Sequence, residues 1–447
     1  LLVQKNQSSP SPSLPFPLML SCPLTPLLLL TLVISTALYG YGFLLADLSK
    51  GSKNEGGKEP HPGCPLPLSS APHRTVLMVI DAWKWAFLAE NEEMEYMRKS
   101  IDAGSATVLR AHVQTPTVTM PRIKALTSGS VPSFASVLLN FHSTAAREDS
   151  WPRRVKESGR SLVFYGDDTW LSLFPDVFDQ RSEGVVSFYV TDYTQVDDNV
   201  TRHLTSEFSR SKDETASVLV LHYLGLDHVG HSLGGESTKI GEKLREMDEI
   251  VRRIREMLIQ SDDSFLFTIL GDHGMTKAGN HGGSSPDETL VPVVVYRSGG
   301  EGERREEGRT NITVPSSIQQ LDVASFLSHR LAVEVPEEGI GMDFSHQIGF
   351  DASQSIIGLA RDVRRLSEKI PSGERKDLLI SCVHDLSSLL GANCRLKDEK
   401  KWRETVERCY EETRRAQSDL ISSASQFDNR SMLIATVFTI MTVIYLL

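Results

Sequence analysis

The sequence is poor in cysteine. Five cysteines are spread over 447 residues, and none forms a C-x-x-C pair or has zinc-finger spacing. The pattern excludes a small disulfide scaffold and a cysteine-based structural zinc site. A disulfide among the last three cysteines and buried free thiols both stay open. The five are Cys22, Cys64, Cys382, Cys394 and Cys409.

Basic charge is also scarce. The chain has 47 Lys and Arg against 58 Asp and Glu, a formal charge of −11, with no basic tract long enough to follow a nucleic-acid backbone. We therefore expect no nucleic-acid partner. Positive charge beside a phosphate must be supplied locally, most simply by bound metal. The length suits one large α/β domain or two ordinary ones, and no internal repeat is evident.

Two long uncharged runs lie at the ends of the chain. Residues 27–46, at about 1.5 Å per helical residue, would cross a hydrocarbon core of about 30 Å. A cleaved signal peptide is the alternative, although its apolar region is usually about 7–15 residues long. Residues 431–447 predict the start of a second, truncated transmembrane helix. Residues 1–26 would then be a cytosolic tail. Sequons at Asn199, Asn311 and Asn429 indicate a lumenal location for the middle of the chain.

The middle of the chain predicts an α/β domain. After a linker at 47–73, rich in Gly, Pro, Lys and Ser, five apolar runs occur at 75–82, 161–168, 217–227, 265–272 and 291–296. Continuous apolar runs are typical of parallel strands buried on both faces. Helical patterns separate them, so we predict a mainly parallel sheet with helices on both faces over residues 74–350. In one of these patterns, apolar residues recur at steps of three and four and predict one apolar helix stripe: Ile240, Leu244, Met247, Val251, Ile254 and Leu258.

A helical region follows. Residues 351–430 alternate apolar and charged positions at helical spacing and contain no cluster of metal-ligating side chains. We interpret them as a helical stalk, which either packs on the domain or stands near the membrane.

Candidate metal ligands follow three of the predicted strands. Parallel sheets carry their sites at the carboxyl ends of strands. Imidazole and carboxylate groups are ligands of Zn²⁺, and two zinc ions about 4 Å apart can act on both oxygens of a displacement at phosphorus. The pair Asp227 and His231 is predicted to lie on a turn after its strand. The candidates are Asp81, Asp227, His231, Asp272, His273 and His281.

A hydroxyl nucleophile would complete such a site. Thr119 precedes Pro121, a residue that often begins a helix, and a helix amino terminus favours a phosphate. Thr119 as a simple helix cap and Thr117 as the nucleophile are the alternatives. Four further histidines are interpreted as structural: His112, His222, His228 and His329.

An ordered set of motifs runs through this region. The segments are PTVTMPRIKALTSGS (116–130), GDDTWLSLFP (166–175), YVTDYTQVDDNV (189–200), HYLGLDHVGH (222–231) and GDHGMTKAGNHG (271–282). Together they resemble the glycosylphosphatidylinositol (GPI) ethanolamine phosphate transferases of the alkaline phosphatase superfamily. The stretches TPTVTMPRIKAL and LGLDHVGH are most similar to type 2, which modifies the second mannose. Type 3, which modifies the third mannose, is the near alternative.

The resemblance implies an alkaline phosphatase-like fold, a mechanism and a set of ligands. Thr119 corresponds to the family nucleophile, which takes phosphoethanolamine from phosphatidylethanolamine and passes it to a mannose of the GPI precursor. It also implies two zinc ions, an endoplasmic reticulum membrane location with a lumenal catalytic domain, and a small multi-pass stabilising subunit. One metal centre corresponds to Asp81, Thr119, Asp272 and His273, and the other to Asp227, His231 and His281.

The sequence departs from the family in one motif. The family segment after the first strand is of the type D-A-L-R-x-D, whereas Asp81 is followed here by Ala-Trp-Lys-Trp-Ala. The missing acid is not among the implied ligands, so metal binding is expected to survive. A metal-dependent phosphodiesterase or sulfatase-like hydrolase and an inactive lumenal binding domain remain the other classes of function.

Overall fold

An eight-stranded sheet organises the middle of the chain. The computed structural model describes residues 25–44, 64, 71–132, 149–211, 214–261, 263–298, 316–391, 393–397, 401–424 and 429–446. From one edge to the other, the strand order is β4-β3-β5-β1-β6-β7-β2-β8. The strands are β1 (Arg74–Ile80), β2 (Thr107–His112), β3 (Leu162–Asp167), β4 (Glu183–Val185), β5 (Val218–Tyr223), β6 (Phe265–Gly271), β7 (Leu290–Arg297) and β8 (Ser317–Gln319).

The described helices precede, separate and follow these strands. They are α1 (Thr25–Leu44), α2 (Trp85–Ala89), α3 (Glu95–Asp102), α4 (Thr119–Ser128), α5 (Trp151–Glu157), α6 (Thr169–Leu173), α7 (Gln195–Thr201), α8 (Leu204–Phe208), α9 (Gly225–Leu233), α10 (Thr238–Gln260), α11 (Pro286–Thr289), α12 (Asp322–Arg330), α13 (Ala352–Lys369), α14 (Glu374–Ser388), α15 (Trp402–Ala424) and α16 (Asn429–Leu446). A short 3₁₀ helix covers Ser345–Ile348.

The sheet is mainly parallel, as predicted. Strand β1 pairs in parallel with β5 and with β6, and β3 continues the parallel arrangement toward β4. Only β7, among the described strands, runs antiparallel to its neighbours β6 and β2. The apolar run at 291–296 therefore predicted a strand without indicating its direction. The strands β2, β4 and β8 were not predicted, because two are three residues long and β2 contains Arg110 and His112.

Both faces of the central strands are buried. Along β1, Val76 and Met78 belong to one apolar cluster, whereas Leu77 and Val79 belong to the cluster on the opposite face. Helices α3 and α10 contribute to the first cluster, and α4, α5 and α12 contribute to the second. Helices therefore cover both faces, which explains why the strands are continuous apolar runs. The predicted stripe on α10 is buried throughout: Ile240, Leu244, Met247, Val251, Ile254 and Leu258.

The helical region after the sheet packs on the domain. Arg414 of α15 donates to Asp322 Oδ2 at 2.6 Å, and Gln417 of the same helix donates to Asp322 Oδ1 at 2.6 Å. Helices α13, α14 and α15 share a separate apolar cluster. Of the two arrangements that the sequence left open, these contacts favour packing on the domain.

Two disulfides link this helical region. Cys382 of α14 is bonded to Cys409 of α15, a pair within the last three cysteines. Cys64 is bonded to Cys394 across 330 residues of sequence. The second pair could not be predicted from spacing, because the two cysteines come together only when the domain has folded.

The two terminal helices form a unit of their own. Ser35 of α1 donates to the carbonyl oxygen of Ala435 in α16 at 2.5 Å, and its hydroxyl lies 2.6 Å from that of Thr439. No helix in the described ranges is long and apolar enough to cross a membrane, so the expected spans at 27–46 and 431–447 are not confirmed. Most of the tail at 1–26, most of the linker at 47–73, Cys22 and the sequon at Asn311 lie outside the described residues.

Candidate metal centre

Three chain segments meet at the carboxyl end of the parallel strands, and the start of α4 with Thr119 is the fourth. Asp81 directly follows β1, and Asp272 and His273 directly follow β6. Helix α9, which begins two residues after β5, carries Asp227 and His231. Because β5, β1 and β6 are neighbours in the sheet, their carboxyl ends bring these side chains together.

The first cluster contains two carboxylates and one imidazole. His273 Nε2 lies 3.5 Å from Asp81 Oδ1 and 3.3 Å from Asp272 Oδ2, and all three residues are buried. The Thr119 hydroxyl joins them, at 3.3 Å from Asp81 Oδ2 and 3.4 Å from His273 Nε2. These four residues form the first of the two expected groups of ligands, and the structure places them within contact distance of one another.

The second cluster contains one carboxylate and two imidazoles. His231 Nε2 lies 3.4 Å from Asp227 Oδ2, and His281 Nε2 lies 3.5 Å from Asp227 Oδ1. The two imidazole Nε2 atoms are 2.9 Å apart. The rings of His273 and His281 stack with centroids 4.1 Å apart, so the two clusters are adjacent.

Backbone carbonyls fix the tautomers of two of the histidines. His273 Nδ1 lies 3.0 Å from the carbonyl oxygen of Gly274, and His281 Nδ1 lies 2.9 Å from that of Thr117. A carbonyl can only accept, so each Nδ1 carries the proton and each Nε2 presents its lone pair to its cluster. This is the arrangement by which metal-binding histidines are oriented in proteins.

The donor set fits bound divalent metal. Three buried carboxylate oxygens, Asp81 Oδ1, Asp227 Oδ1 and Asp272 Oδ2, have no hydrogen-bond partner in the described part of the chain. Each lies in one of the two clusters, where imidazole lone pairs also converge. Buried carboxylates without partners are costly unless a cation neutralises them. Carboxylate oxygen with imidazole nitrogen is a ligand combination that zinc accepts.

Burial changes the ionisation of these groups. Burial, together with nearby carboxylates, raises the pKa of Asp227 to about 8. Burial and the carboxylates of Asp272 and Asp227 also raise the pKa of Asp81 well above its usual range. Burial lowers the pKa of His273 to about 3 and that of His281 to about 4. The two imidazoles are therefore neutral at neutral pH, whereas the raised pKa values of Asp81 and Asp227 disfavour their ionised forms unless a cation binds beside them.

Zinc binding is expected to strengthen as the pH rises from 6 to 8. Below pH 8 a metal ion must displace the Asp227 proton, and each displaced proton makes affinity rise about tenfold per pH unit. The two histidines with pKa values near 3 and 4 add nothing in this window. Calorimetric titration of the metal-free chain with Zn²⁺, in buffers of different ionisation enthalpy, measures the released protons. Affinity that stays constant between pH 6 and 8, without proton release, contradicts this prediction.

The thermal stability of the metal-free protein should fall over the pH range in which zinc affinity rises. A carboxyl whose pKa is raised by folding stabilises the folded state at pH values below its pKa in the unfolded chain, which is about 3.9. That contribution is lost as the pH rises toward 8. The metal-free chain should therefore unfold at a lower temperature at pH 8 than at pH 6.5, and the zinc-loaded chain should not show this loss.

Local conformation differs from the prediction at two ligands. Asp227 and His231 lie on a nine-residue helix rather than a turn, and their four-residue spacing places both on one helix face. Thr119 is the first residue of α4, while Val118 occupies the N-cap position. The Thr119 hydroxyl contacts Asp81 and His273, which disfavours the alternative that it only caps the helix.

Thr117 has a different set of contacts. Its hydroxyl donates to the carbonyl oxygen of Gly283 at 2.8 Å and accepts from the backbone N–H of Gly282 at 2.9 Å. These contacts, with that of its carbonyl to His281, position the loop that carries this ligand. The geometry therefore favours Thr119 over Thr117 as the nucleophile.

Sequence reasoning missed two residues beside the site. His222 accepts a hydrogen bond from Trp170 Nε1 at 3.0 Å through Nδ1, and its Nε2 lies 3.4 Å from Asp81 Oδ2. Arg122, one turn after Thr119, is fully buried, and burial lowers its pKa to about 9. Its guanidinium nitrogens have no hydrogen-bond partner among the residues that the structure describes. Apart from their positions inside motifs that contain predicted site residues, nothing in the sequence distinguished His222 and Arg122.

A buried ion pair supports the helix that carries Asp227 and His231. Asp197 accepts from the backbone N–H groups of Leu224 and Gly225, both at 3.0 Å. Its other oxygen lies 2.7 Å from Lys243 Nζ of α10. A Cβ on Gly225 would lie 2.2 Å from Asp197 Oδ2, so only glycine allows this approach.

Replacing Lys243 by methionine is expected to destabilise the fold. The change leaves the buried Asp197 carboxylate unpaired, which costs about 3–5 kcal/mol. Urea unfolding followed by circular dichroism measures the loss. Lys239→Met is the matched control, because that lysine is exposed and forms its ion pair with Glu242 of the same helix. Equal unfolding midpoints for the two variants would show that the ion pair does not support the site.

The chain is similar to known proteins over most of its length. Residues 142–293 match the family model of type I phosphodiesterases / nucleotide pyrophosphatases. The catalytic subunit of human GPI ethanolamine phosphate transferase 2 is 35% identical over 437 residues, which cover 91% of this chain and 43% of the human protein. GPI ethanolamine phosphate transferase 2 of Aspergillus fumigatus is 40% identical over 283 residues, covering 60% and 36%. The chain thus spans less than half the length of these relatives.

Parts of solved structures also align with this chain. The lipooligosaccharide phosphoethanolamine transferase A of Neisseria meningitidis aligns with a TM-score of 0.42 and 11% identity, covering 60% of this chain and 56% of that chain.

Proposed function

We propose that this chain, which is related to the GPI ethanolamine phosphate transferases of type 2 and to the alkaline phosphatase superfamily, carries a phosphoethanolamine transferase domain. Its donor is phosphatidylethanolamine, and its acceptor is a mannose of the GPI precursor, the second mannose by similarity to type 2. One observation carries the proposal: residues from four distant segments converge into two metal-ligand clusters with the Thr119 hydroxyl in one of them.

The residues of the site have distinct roles in this proposal. Asp81 Oδ2 accepts from the Thr119 hydroxyl and orients it toward the donor phosphorus. Helix α4 begins at Thr119, so first-turn N–H groups without intrahelical partners lie beside the hydroxyl and favour a phosphate. Two divalent ions, proposed to be zinc and held by the two clusters, would supply Lewis acidity to the phosphoryl oxygens and lower the pKa of the hydroxyl.

The transfer takes two displacements. The Thr119 hydroxyl loses its proton and its oxygen bonds to phosphorus while the bond from phosphorus to the glycerol oxygen breaks. The glycerol oxygen takes up a proton, and diacylglycerol leaves. A mannose hydroxyl then bonds to the same phosphorus, loses its proton and releases Thr119, which regains a proton. The same groups serve both steps, because the second step is chemically the reverse of the first with a different alcohol.

The location and partners follow from the same proposal. We place the domain on the lumenal side of the endoplasmic reticulum membrane, held there by the apolar terminal segments. Two disulfides suit an oxidising compartment. The human relative is described as a catalytic subunit, which supports a further, stabilising subunit for this chain.

The acceptor is tested with defined GPI intermediates. The zinc-loaded full chain is incubated in detergent with phosphatidylethanolamine and precursors that carry two or three mannoses, and mass spectrometry locates the added phosphoethanolamine. We expect modification of the second mannose. Modification of the third would indicate type 3 activity. Release of free ethanolamine phosphate, without modified glycan, would indicate a hydrolase, the alternative that the phosphodiesterase family match favours. No product from a fully metal-loaded chain would indicate a binding domain.

A further inference from the structure

Exposed apolar side chains concentrate beside the metal-ligand clusters. Nine large apolar side chains are exposed in the described residues between 71 and 424, and six of them lie on three segments next to the site. Four belong to residues 186–190, termed here the apolar loop, where Phe188 is 84% and Tyr189 71% exposed. The other two are Val118, which precedes Thr119, and Leu233, at the end of α9.

The helix that carries two metal ligands also holds the apolar loop. His228, next to Asp227, contacts the carbonyl oxygens of Ser187 and Asp192 at 3.0 and 2.6 Å. Ser232, next to His231, donates to the carbonyl oxygen of Val190 at 2.6 Å. The loop backbone is therefore fixed against α9. Its carbonyl groups face the helix, while its apolar side chains are left in contact with solvent.

The loop is closed by its own backbone contacts as well. The N–H of Asp192 donates to the carbonyl oxygen of Tyr189 at 2.8 Å, and Asp192 Oδ1 accepts from the N–H groups of Thr194 and Gln195. A loop with these bonds cannot easily turn its apolar side chains inward. Residues 185–191 also contain no charged side chain, which distinguishes the segment from an ordinary solvated loop.

We propose that the apolar loop, with Val118 and Leu233, is a lipid-contacting surface that receives the acyl-glycerol part of the donor at the bilayer face. The inference rests on the proposed function, in which the headgroup phosphate of a lipid must reach Thr119. The glycerol and acyl chains of that lipid then need an apolar surface beside the clusters. Phenylalanine and tyrosine side chains suit the boundary between headgroups and hydrocarbon.

Lipid contact can be measured without enzymatic activity. The full chain with Cys22→Ser, which removes the only cysteine outside the two disulfides, receives either Phe188→Cys or Ile380→Cys and a bimane label. Ile380 lies on α14 and is 52% exposed, which makes it the matched control. Each protein is reconstituted into phosphatidylcholine and phosphatidylethanolamine vesicles containing lipid with a nitroxide on the acyl chain. We expect several-fold stronger quenching at position 188.

Two outcomes of the quenching experiment overturn the inference. Equal quenching at both positions would show that the loop has no preferred contact with lipid. A label at position 188 that is shielded from water-soluble quenchers but not quenched by the nitroxide lipid would indicate a protein or a second copy of the chain on this surface. Because the readout is fluorescence, a failure of the proposed transfer activity would not be mistaken for either result.

A kinetic experiment tests whether contact between the apolar loop and lipid contributes to the transfer reaction. The double variant Phe188→Ser/Tyr189→Ser is compared with Leu378→Ser/Ile380→Ser, whose residues are also exposed. Donors are phosphatidylethanolamine in vesicles and glycerophosphoethanolamine, a soluble phosphodiester without acyl chains. The ratio of the vesicle rate to the soluble rate should fall at least tenfold in the loop variant and stay at the wild-type value in the control. An unchanged ratio in the loop variant contradicts the proposal.

Discussion

Replacing Thr119 by alanine is expected to abolish phosphoethanolamine transfer while leaving the fold and both metal clusters in place. The hydroxyl is the only alcohol among the described residues that contacts both Asp81 and His273. Loss of a catalytic nucleophile lowers the turnover rate by a factor on the order of 10⁴ to 10⁶. Transfer from phosphatidylethanolamine to a GPI intermediate measures the loss, and circular dichroism and zinc content are measured in parallel.

Thr117→Ala is the matched control for this prediction. Its hydroxyl binds the backbone of the loop that carries His281, so its removal should weaken one metal cluster and lower activity moderately. Thr119→Ser should retain measurable transfer, because serine keeps an alcohol oxygen on Cβ at the same position. Normal transfer by Thr119→Ala together with complete loss in Thr117→Ala would make Thr117 the nucleophile.

Replacing Asp272 by asparagine should remove one metal ion and nearly all activity. Asp272 Oδ1 accepts from the N–H groups of Ala82 and His273, at 3.1 and 2.8 Å, and Oδ2 is left for the metal. An amide is a poor metal ligand compared with a carboxylate at a zinc site. We expect zinc content to fall from two ions to one and transfer to fall by a factor on the order of 10³ or more.

The same variant should make the metal-free protein more stable at pH 8. The Asp272 carboxylate raises the pKa values of both Asp81 and Asp227, so the three acids oppose one another when no cation is bound. Removing one of them relieves this repulsion. Thermal unfolding with and without zinc measures both effects. The exposed Asp176, which has a φ of 64° that asparagine tolerates, gives the control variant Asp176→Asn. A metal-free Asp272→Asn protein that unfolds below the wild type would contradict the electrostatic account.

The sequence predicted those features that depend on a single segment. Apolar runs such as the one ending at Asp81 indicated strands buried on both faces, and the helical stripe on α10 is buried as expected. An apolar run does not specify its neighbours or its direction, so it could not predict that β7 is antiparallel. Predicting Asp227 and His231 on a turn was wrong because the two glycines of GLDHVGH lie within a helix supported from outside by Asp197.

Features that depend on contacts between segments far apart in the chain could not be predicted from the sequence. Asp197 meets Lys243 only when α7 and α10 pack on the same side of the sheet. His222 looks like any core histidine of a strand, and its closeness to Asp81 follows from the pairing of β5 with β1. The seven predicted site residues lie close together because each directly follows a strand or belongs to a helix or loop at the carboxyl ends of the strands. Their roles as ligands and nucleophile stay predictions.

In the proposed reaction, Thr119 carries the phosphoethanolamine group between two alcohols. The most direct test is to incubate the zinc-loaded full chain with phosphatidylethanolamine and no glycan acceptor, quench in acid, and map the modified peptide by mass spectrometry. We expect phosphoethanolamine on Thr119, absent from Thr119→Ala and lost when a GPI acceptor is added. A chain that transfers phosphoethanolamine to the acceptor but never carries it on Thr119 would show that this threonine is not the nucleophile.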